Sequence, residues 1–198
     1  MKKYIFTFAT AALLFSCSSD DTLDPELENE EELITDFDIT LSAAGLDDVV
    51  LSADDPDGDE EIDSIIGGTL VANTVYTGSI TLTNELAEDD EDPNVTAEIQ
   101  EEDDEHQFFF IPVTMDAEGN LLDDVLDITT TYLDFDDDGN PLGLSFTLTT
   151  GEASVGDFRI VLLHELEKDL EGVSEGGTNY EDAGGSIDID VTFPIVIE

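Results

Sequence analysis

Basic side chains are nearly missing from this sequence: its 198 residues hold 4 Lys or Arg against 52 Asp or Glu, a formal net charge of −48. Binding of nucleic acid by phosphate neutralisation is excluded, because the cations it needs are absent. Docking on an anionic membrane through a basic face is excluded for the same reason. Tryptophan is absent, which removes the largest aromatic platform for a sugar ring, although 4 Tyr and 11 Phe remain. A single cysteine, Cys17, rules out a disulfide framework within the chain. No apolar run reaches the roughly 20 residues of a membrane-spanning helix. Apolar residues are nevertheless plentiful at 40%. That is too many for a wholly disordered acidic chain, and the length suits one domain with a real core.

The N-terminus carries an address. Lys2 and Lys3 form a positive n-region, and residues 4–15 (YIFTFATAALLF) are almost wholly apolar. That pattern reads as a secretory signal segment. The run ends Leu14-Phe15-Ser16-Cys17, which resembles the lipobox of bacterial lipoproteins. The resemblance implies a signal peptide over 1–16 and a mature chain that begins at an acylated Cys17. Several acyl chains on one residue suffice for stable anchoring. Ser18-Ser19-Asp20-Asp21 resembles the short acidic signal that sends lipoproteins of Bacteroidetes to the outer face of the outer membrane. Residues 17–36 then read as an acidic tether. With 1–16 removed, Arg159 and Lys168 are the only basic side chains left. Such an excess of one charge disfavours a compact state at low salt, so either high ionic strength or bound divalent cations would support folding.

From Phe37 onward the chain alternates apolar and polar residues. Strands are expected at 37–43, 48–52, 69–72, 75–83, 107–114, 125–133, 143–150, 157–164 and 186–197. Gly-rich turn signals separate them, among them Asp57-Gly58, Gly67-Gly68, Asp138-Gly139-Asn140-Pro141 and Gly184-Gly185. Many short strands joined by such turns predict an all-β antiparallel sandwich, immunoglobulin-like or similar, over 37–198. One segment differs: residues 85–105 hold twelve acids. Within it a short acidic helix is expected from about 94 to 104, capped by Asn94, with Val95 and Ile99 facing the sandwich.

Catalytic motifs fail on inspection. Gly172-Val173-Ser174-Glu175-Gly176 matches a nucleophile elbow, but that motif needs a later histidine, and both His106 and His164 come earlier. His164-Glu165-Leu166-Glu167-Lys168 begins like a zinc-protease H-E-x-x-H and places Lys168 where the second histidine belongs. Acid pairs are too numerous to single out a glycosidase pair. The expectation is therefore not an enzyme.

Cation binding is better supported. Asp134, Asp136 and Asp138 with Gly139 reproduce the D-x-D-x-D-G opening of a calcium loop. Ser145 stands where the closing Glu would be, and strand-like flanks exclude a true EF-hand. The alternative is a hairpin turn built from Asp, Gly, Asn and Pro. Asp55, Asp57 and Asp59, with Asp63 beyond, form a second candidate calcium loop around Gly58. His106 and His164 each close or open a strand beside carboxylates. If those strands pair, His106, His164 and Glu165 converge, and two imidazoles with a carboxylate suit Zn²⁺ or Cu²⁺. The alternative is two separate surface histidines.

The stretch His106-Gln107-Phe108-Phe109-Phe110, the hairpin 128–150, Leu163-His164-Glu165 and the tail from Gly172 to Pro194 together resemble a group of small secreted flavobacterial (Bacteroidetes) lipoproteins. Some of these carry the label of a type 1 periplasmic binding fold. That fold is a two-lobed α/β structure larger than this chain, and the strands here are not separated by helices, so its ligand site is not carried over. Asp21-Thr22-Leu23 and Asp63-Ser64-Ile65 resemble the three-residue O-glycan acceptor of this phylum. The expected molecule is an outer-membrane lipoprotein, anchored at Cys17 and facing the cell surface or the periplasm. It would be a binding or accessory module that captures a metal cation or cationic ligand and hands it to an outer-membrane receptor. The alternative is a structural or adhesive surface domain stiffened by calcium.

Overall fold

The computed structural model describes residues 32–59, 61–88, 92–113, 125–173 and 180–198. Cys17, the signal segment, the expected tether up to residue 31 and Ser174–Gly176 lie outside the described residues. The fold is an all-β sandwich with one short helix. Its first sheet has six strands in the order β3-β2-β1-β5-β8-β7. In chain order these are β1 (Asp36–Ser42), β2 (Val49–Asp54), β3 (Ser64–Ile66), β5 (Val75–Thr83), β7 (Ile128–Tyr132) and β8 (Ser145–Thr150). The second sheet has the order β4-β10-β9-β6. It comprises β4 (Gly68–Leu70), β6 (His106–Pro112), β9 (Ser154–His164) and β10 (Ser186–Ile197). All pairings are antiparallel except β4 with β10. Among the described residues, no helix is long and apolar enough to cross a membrane.

Period-two alternation builds the core. Phe37, Ile39 and Leu41 of β1 and Phe158, Ile160 and Leu162 of β9 are fully buried between the sheets. Phe110 packs on Phe146 with ring centroids 4.3 Å apart, and Phe37 on Phe193 at 5.8 Å. Burying such rings is the dominant favourable term. β6 from His106 to Phe110 and β9 from Ile160 to His164 are buried on both faces. Their outward residues Phe109, Val161 and Leu163 lie under Leu166, Val173 and Ala183 of the segment after β9. β3 was not expected from the sequence. Three exposed residues between turn signals carry no alternation to detect, and the strand exists by pairing with β2.

Two boundaries differ in ways that matter for the site. The folded domain begins before residue 37, because Ile34 and Thr35 are buried. The Thr35 amide donates to the Thr83 carbonyl at 2.9 Å, and its hydroxyl accepts from the Glu85 amide at 2.8 Å. This short strap holds Glu32 against the end of the sandwich. The helix α1 (Val95–Glu101) is shorter than expected, and Asn94 occupies the N-cap position without capping through its side chain. Tertiary contacts hold it instead. Val95 and Ile99 are buried, and the Thr96 hydroxyl accepts from the Leu82 amide and donates to the Leu82 carbonyl. Seven residues with acids at the C-terminal end would not persist alone.

Candidate metal centre

The β6–β9 register places His106 directly opposite His164, at the end of both strands and on their core-facing side. Their rings stack with centroids 4.4 Å apart and 10° between planes. Both residues are almost completely buried. β10 completes the cluster through a bulge between Ile187 and Ile189. Asp188 is the extra residue, and a bulge re-aims the side chain it inserts. The Asp188 carboxylate is fully buried, with Oδ2 3.6 Å from His106 Nε2 and Oδ1 4.0 Å from His164 Nδ1. Gly185, at φ +74°, begins this turn of chain; a Cβ there would lie 2.2 Å from the His164 carbonyl oxygen. The strap supplies Glu32, whose Oε1 is 3.2 Å from His106 Nε2 and whose Oε2 is 3.7 Å from His164 Nδ1. Glu102, at the end of α1, also brings a donor atom within 4.8 Å of those of Glu32, His106 and His164.

A backbone contact sets the chemistry of His106. Its Nδ1 lies 3.1 Å from the Glu102 carbonyl. A carbonyl only accepts, so Nδ1 carries the proton and the neutral ring presents a lone pair at Nε2. That lone pair faces the carboxylates of Glu32 and Asp188. Acceptors facing acceptors in a buried space require a cation between them, either a proton or a metal ion. Among the described residues, neither His106 Nε2 nor Glu32 Oε2 meets a partner in hydrogen-bond geometry.

Protonation follows from the same contacts. Burial disfavours the imidazolium of His106, but the Glu32 contact, the Glu102 carbonyl and the charge of Asp188 outweigh it and raise its pKa above 6.5. Burial likewise disfavours the Glu32 carboxylate, yet His106 holds it below its ordinary range. A raised histidine stabilises the fold fully below its unfolded pKa and loses that contribution as pH rises through the folded value. A lowered glutamate contributes above its unfolded pKa and loses this as pH falls. The thermal midpoint of the metal-free protein, measured by calorimetry in chelator, should therefore fall between pH 6.5 and pH 9. His106→Gln should flatten that slope, and a wild-type midpoint that rises over this interval would contradict the charged ring.

The histidine pairing expected from sequence is present in the structure, but Glu165 is placed differently. Glu165 is exposed and groups with Glu105 on the other side of His164, where Glu105 lies 3.7 Å from Nε2. Glu32 and Asp188 were missed. Glu32 sits in what reads as tether, and Asp188 sits within ordinary strand alternation. Ile187-Asp188-Ile189-Asp190 alternates regularly in the sequence, so nothing there marks the bulge.

The two Asp-rich loops part company. Asp134, Asp136 and Asp138 do not converge among the described residues. Asp134 instead accepts from the amides of Gly143 and Ser145. Asp136 accepts from the amides of Asp138 and Asn140 and pairs with Lys168 at 3.0 Å. This is the turn chemistry of the alternative, with an ammonium where a calcium ion would sit. Asp55, Asp57 and Asp59 do bring one oxygen each within 4.8 Å of the others. The neighbouring charge of Asp59 is the main cause that pushes the Asp57 carboxyl up.

Fold and side chains together define an all-β sandwich carrying a buried histidine–carboxylate cluster at one end. Comparisons with protein-family models, with curated proteins and with solved structures each find no match.

Proposed function

We propose that the protein is a non-catalytic binding module of an outer-membrane lipoprotein. It captures a transition-metal ion, Zn²⁺ or Cu²⁺, between His106, His164, Glu32 and Asp188. The observation that carries this is the Nε2 lone pair of His106, fixed by the Glu102 carbonyl and aimed at two buried carboxylates. A second bond from a ligating imidazole to a backbone carbonyl is the usual way a metal site sets ring orientation. Spacing also supports it. Donors of a tetrahedral zinc site with ~2.0 Å bonds lie about 3.3 Å apart; each imidazole nitrogen lies 3.2–4.0 Å from one oxygen of Glu32 and one of Asp188. The stacked rings hold their lone pairs in two nearly parallel planes, so coordination of one ion requires the rings to tilt toward one another. Two anionic and two neutral donors neutralise a divalent charge, which makes burial of the ion feasible. The lipobox-like Cys17 would hold the module at the outer membrane, where captured ions could pass to a receptor.

The test is the thermal midpoint of the full chain in chelator, Zn²⁺, Cu²⁺, Ca²⁺ and NaCl at matched ionic strength. A ligand that binds only the native state at a hundredfold excess over Kd stabilises it by about 2.7 kcal/mol. A selective rise with Zn²⁺ or Cu²⁺ is expected, and equal rises in every salt would sink the proposal. A rise with Ca²⁺ alone would favour the second reading, a calcium-stiffened surface domain. That reading rests on the convergence of Asp55, Asp57 and Asp59.

A further inference from the structure

The β6–β9 ladder that ends at His106 and His164 also brings together the residues just beyond its end. Glu105 immediately precedes β6, and Glu165 immediately follows β9. Local backbone positions both. The Glu105 amide donates to the Glu102 carbonyl at 3.0 Å. Glu165 takes a left-handed conformation at φ +54°, and Gly185 packs a second length of chain closely against the His164–Glu165 step. The outer edge of the His164 ring meets these two carboxylates. Its Nε2 lies 3.7 Å from Glu105 Oε2. One donor atom each from Glu105, His164 and Glu165 lie within 4.8 Å of one another. Both basic side chains of the described residues are engaged with other acids, Arg159 with Asp190 and Lys168 with Asp136.

The two nitrogens of His164 therefore face different surroundings. Nδ1 looks inward, to Glu32 at 3.7 Å and Asp188 at 4.0 Å. Nε2 looks outward, to a half-exposed Glu105 and an exposed Glu165. The ring itself is buried and stands as a wall between the inner centre and the surface. A separation of 3.7 Å is too long for a direct hydrogen bond from Nε2 to Glu105. It is within reach of a shared ion, whose donors at ~2.0 Å bonds lie about 3.3 Å apart. The imidazole distinguishes this group from the many clusters of acids alone, and one imidazole with two carboxylates suits Zn²⁺ or Cu²⁺. We infer that Glu105, His164 Nε2 and Glu165 form a second, outer metal site, and that His164 bridges it to the inner one. The inference rests on the inner site, because His164 belongs to both. With an ion on Nδ1, the neutral ring carries its proton on Nε2. The outer ion replaces that proton, which passes to solvent, and leaves a bridging imidazolate. The outer carboxylates are solvated, so this site is the weaker and fills second.

The experiment is a titration of the full chain with Cu²⁺, followed by electron paramagnetic resonance. Cys17→Ser removes the one thiol that would reduce the probe. The signal is expected to grow over the first equivalent and to fall over the second, as two unpaired electrons pair through the shared ring. Copper scattered over other carboxylates adds an uncoupled signal, so stoichiometry alone does not decide. Glu105→Gln and Glu165→Gln alter side chains at the surface. Each should keep the first ion, weaken the second at least about tenfold, and turn the fall into a further rise. Glu167→Gln makes the same change of charge at an exposed neighbour and should leave the coupling intact. A wild-type signal that grows through the second equivalent would overturn the inference. So would a Glu105→Gln/Glu165→Gln chain that couples as wild type does. Glu105→Gln weakening the first ion as much as the second would also overturn it, and would make Glu105 a group that orients the ring. A wild-type chain that fails to bind even one equivalent would instead overturn the inner site, and the bridge with it.

Discussion

Replacing His106 by alanine is expected to lower zinc affinity at least about a hundredfold, measured by competition against a chelator of known affinity at neutral pH. Loss of a group that only orients a ligand already costs 10- to 100-fold in typical sites, and His106 Nε2 is the donor itself. It is also the best prepared donor in the cluster, since the Glu102 carbonyl fixes both its tautomer and its direction. His164→Ala should cost nearly as much, because its Nδ1 faces the same two carboxylates. Glu165→Gln should change little, since that side chain is exposed on the far side of His164. The contrast between Glu165 and Glu32 is the sharper control: Glu32→Gln should weaken zinc clearly. If both histidine variants kept wild-type affinity, the ion would lie in the acidic loops and the imidazole pair would be a structural stack.

Lys168→Met should destabilise the fold by about 3–5 kcal/mol, the range for removing one partner of a buried ion pair. At two to four degrees per kcal/mol for a chain of this size, the thermal midpoint should drop by about 6–20 °C. The reason is local. The Lys168 ammonium donates to the Asp103 carbonyl at 2.6 Å and to the His106 carbonyl at 3.0 Å, and it pairs with Asp136 at 3.0 Å. Both side chains of the pair are nearly inaccessible. Methionine fills the space, leaves the buried Asp136 carboxylate without its counter-ion and removes a donor from two carbonyls. Although burial alone would raise the Asp136 pKa, the ammonium and the Asn140 contacts hold it below its ordinary value. Its contribution is therefore present above pH 3.8 and is lost as pH falls through the lowered value. Accordingly, the gap between wild type and Lys168→Met should narrow in acid, where the orphaned carboxyl of the variant takes up a proton. A gap that stays constant from pH 7 to pH 3 would place the damage in packing. Lys168→Met/Asp136→Asn should recover part of the lost stability. The ammonium also braces the His106 carbonyl, so the single variant should weaken zinc even at temperatures where it is folded.

The Lys168–Asp136 contact also explains why one motif was misleading. Asp134-Phe135-Asp136-Asp137-Asp138-Gly139 has the composition of a calcium loop, and a turn needs the same residue types. Composition cannot separate the two. What separates them is a lysine 32 residues beyond Asp136, brought under the turn by the segment that leaves β9. In an acidic chain with so few bases, the burial of one of them is informative. The loop that does gather its carboxylates, Asp55 to Asp59, had the less convincing spacing.

Alternation along Phe37-Ile39-Leu41, Phe158-Ile160-Leu162 and Ile187-Ile189-Val191 marked strands, because a strand half buried on one face must repeat every second residue, and the many Gly-rich turns between short strands pointed to a sandwich. The scarcity of bases and of histidines likewise singled out Arg159, Lys168, His106 and His164 before any fold was known. Local pattern sets which face a residue occupies. It does not set which residue lies across from it, and a shift of one position in the β6–β9 register would separate the histidines. Only the tertiary structure set His106 opposite His164, inserted Asp188 through a bulge, and returned the strap with Glu32 to close the cluster. Each of these depends on long-range pairing energies that no window of neighbouring residues contains.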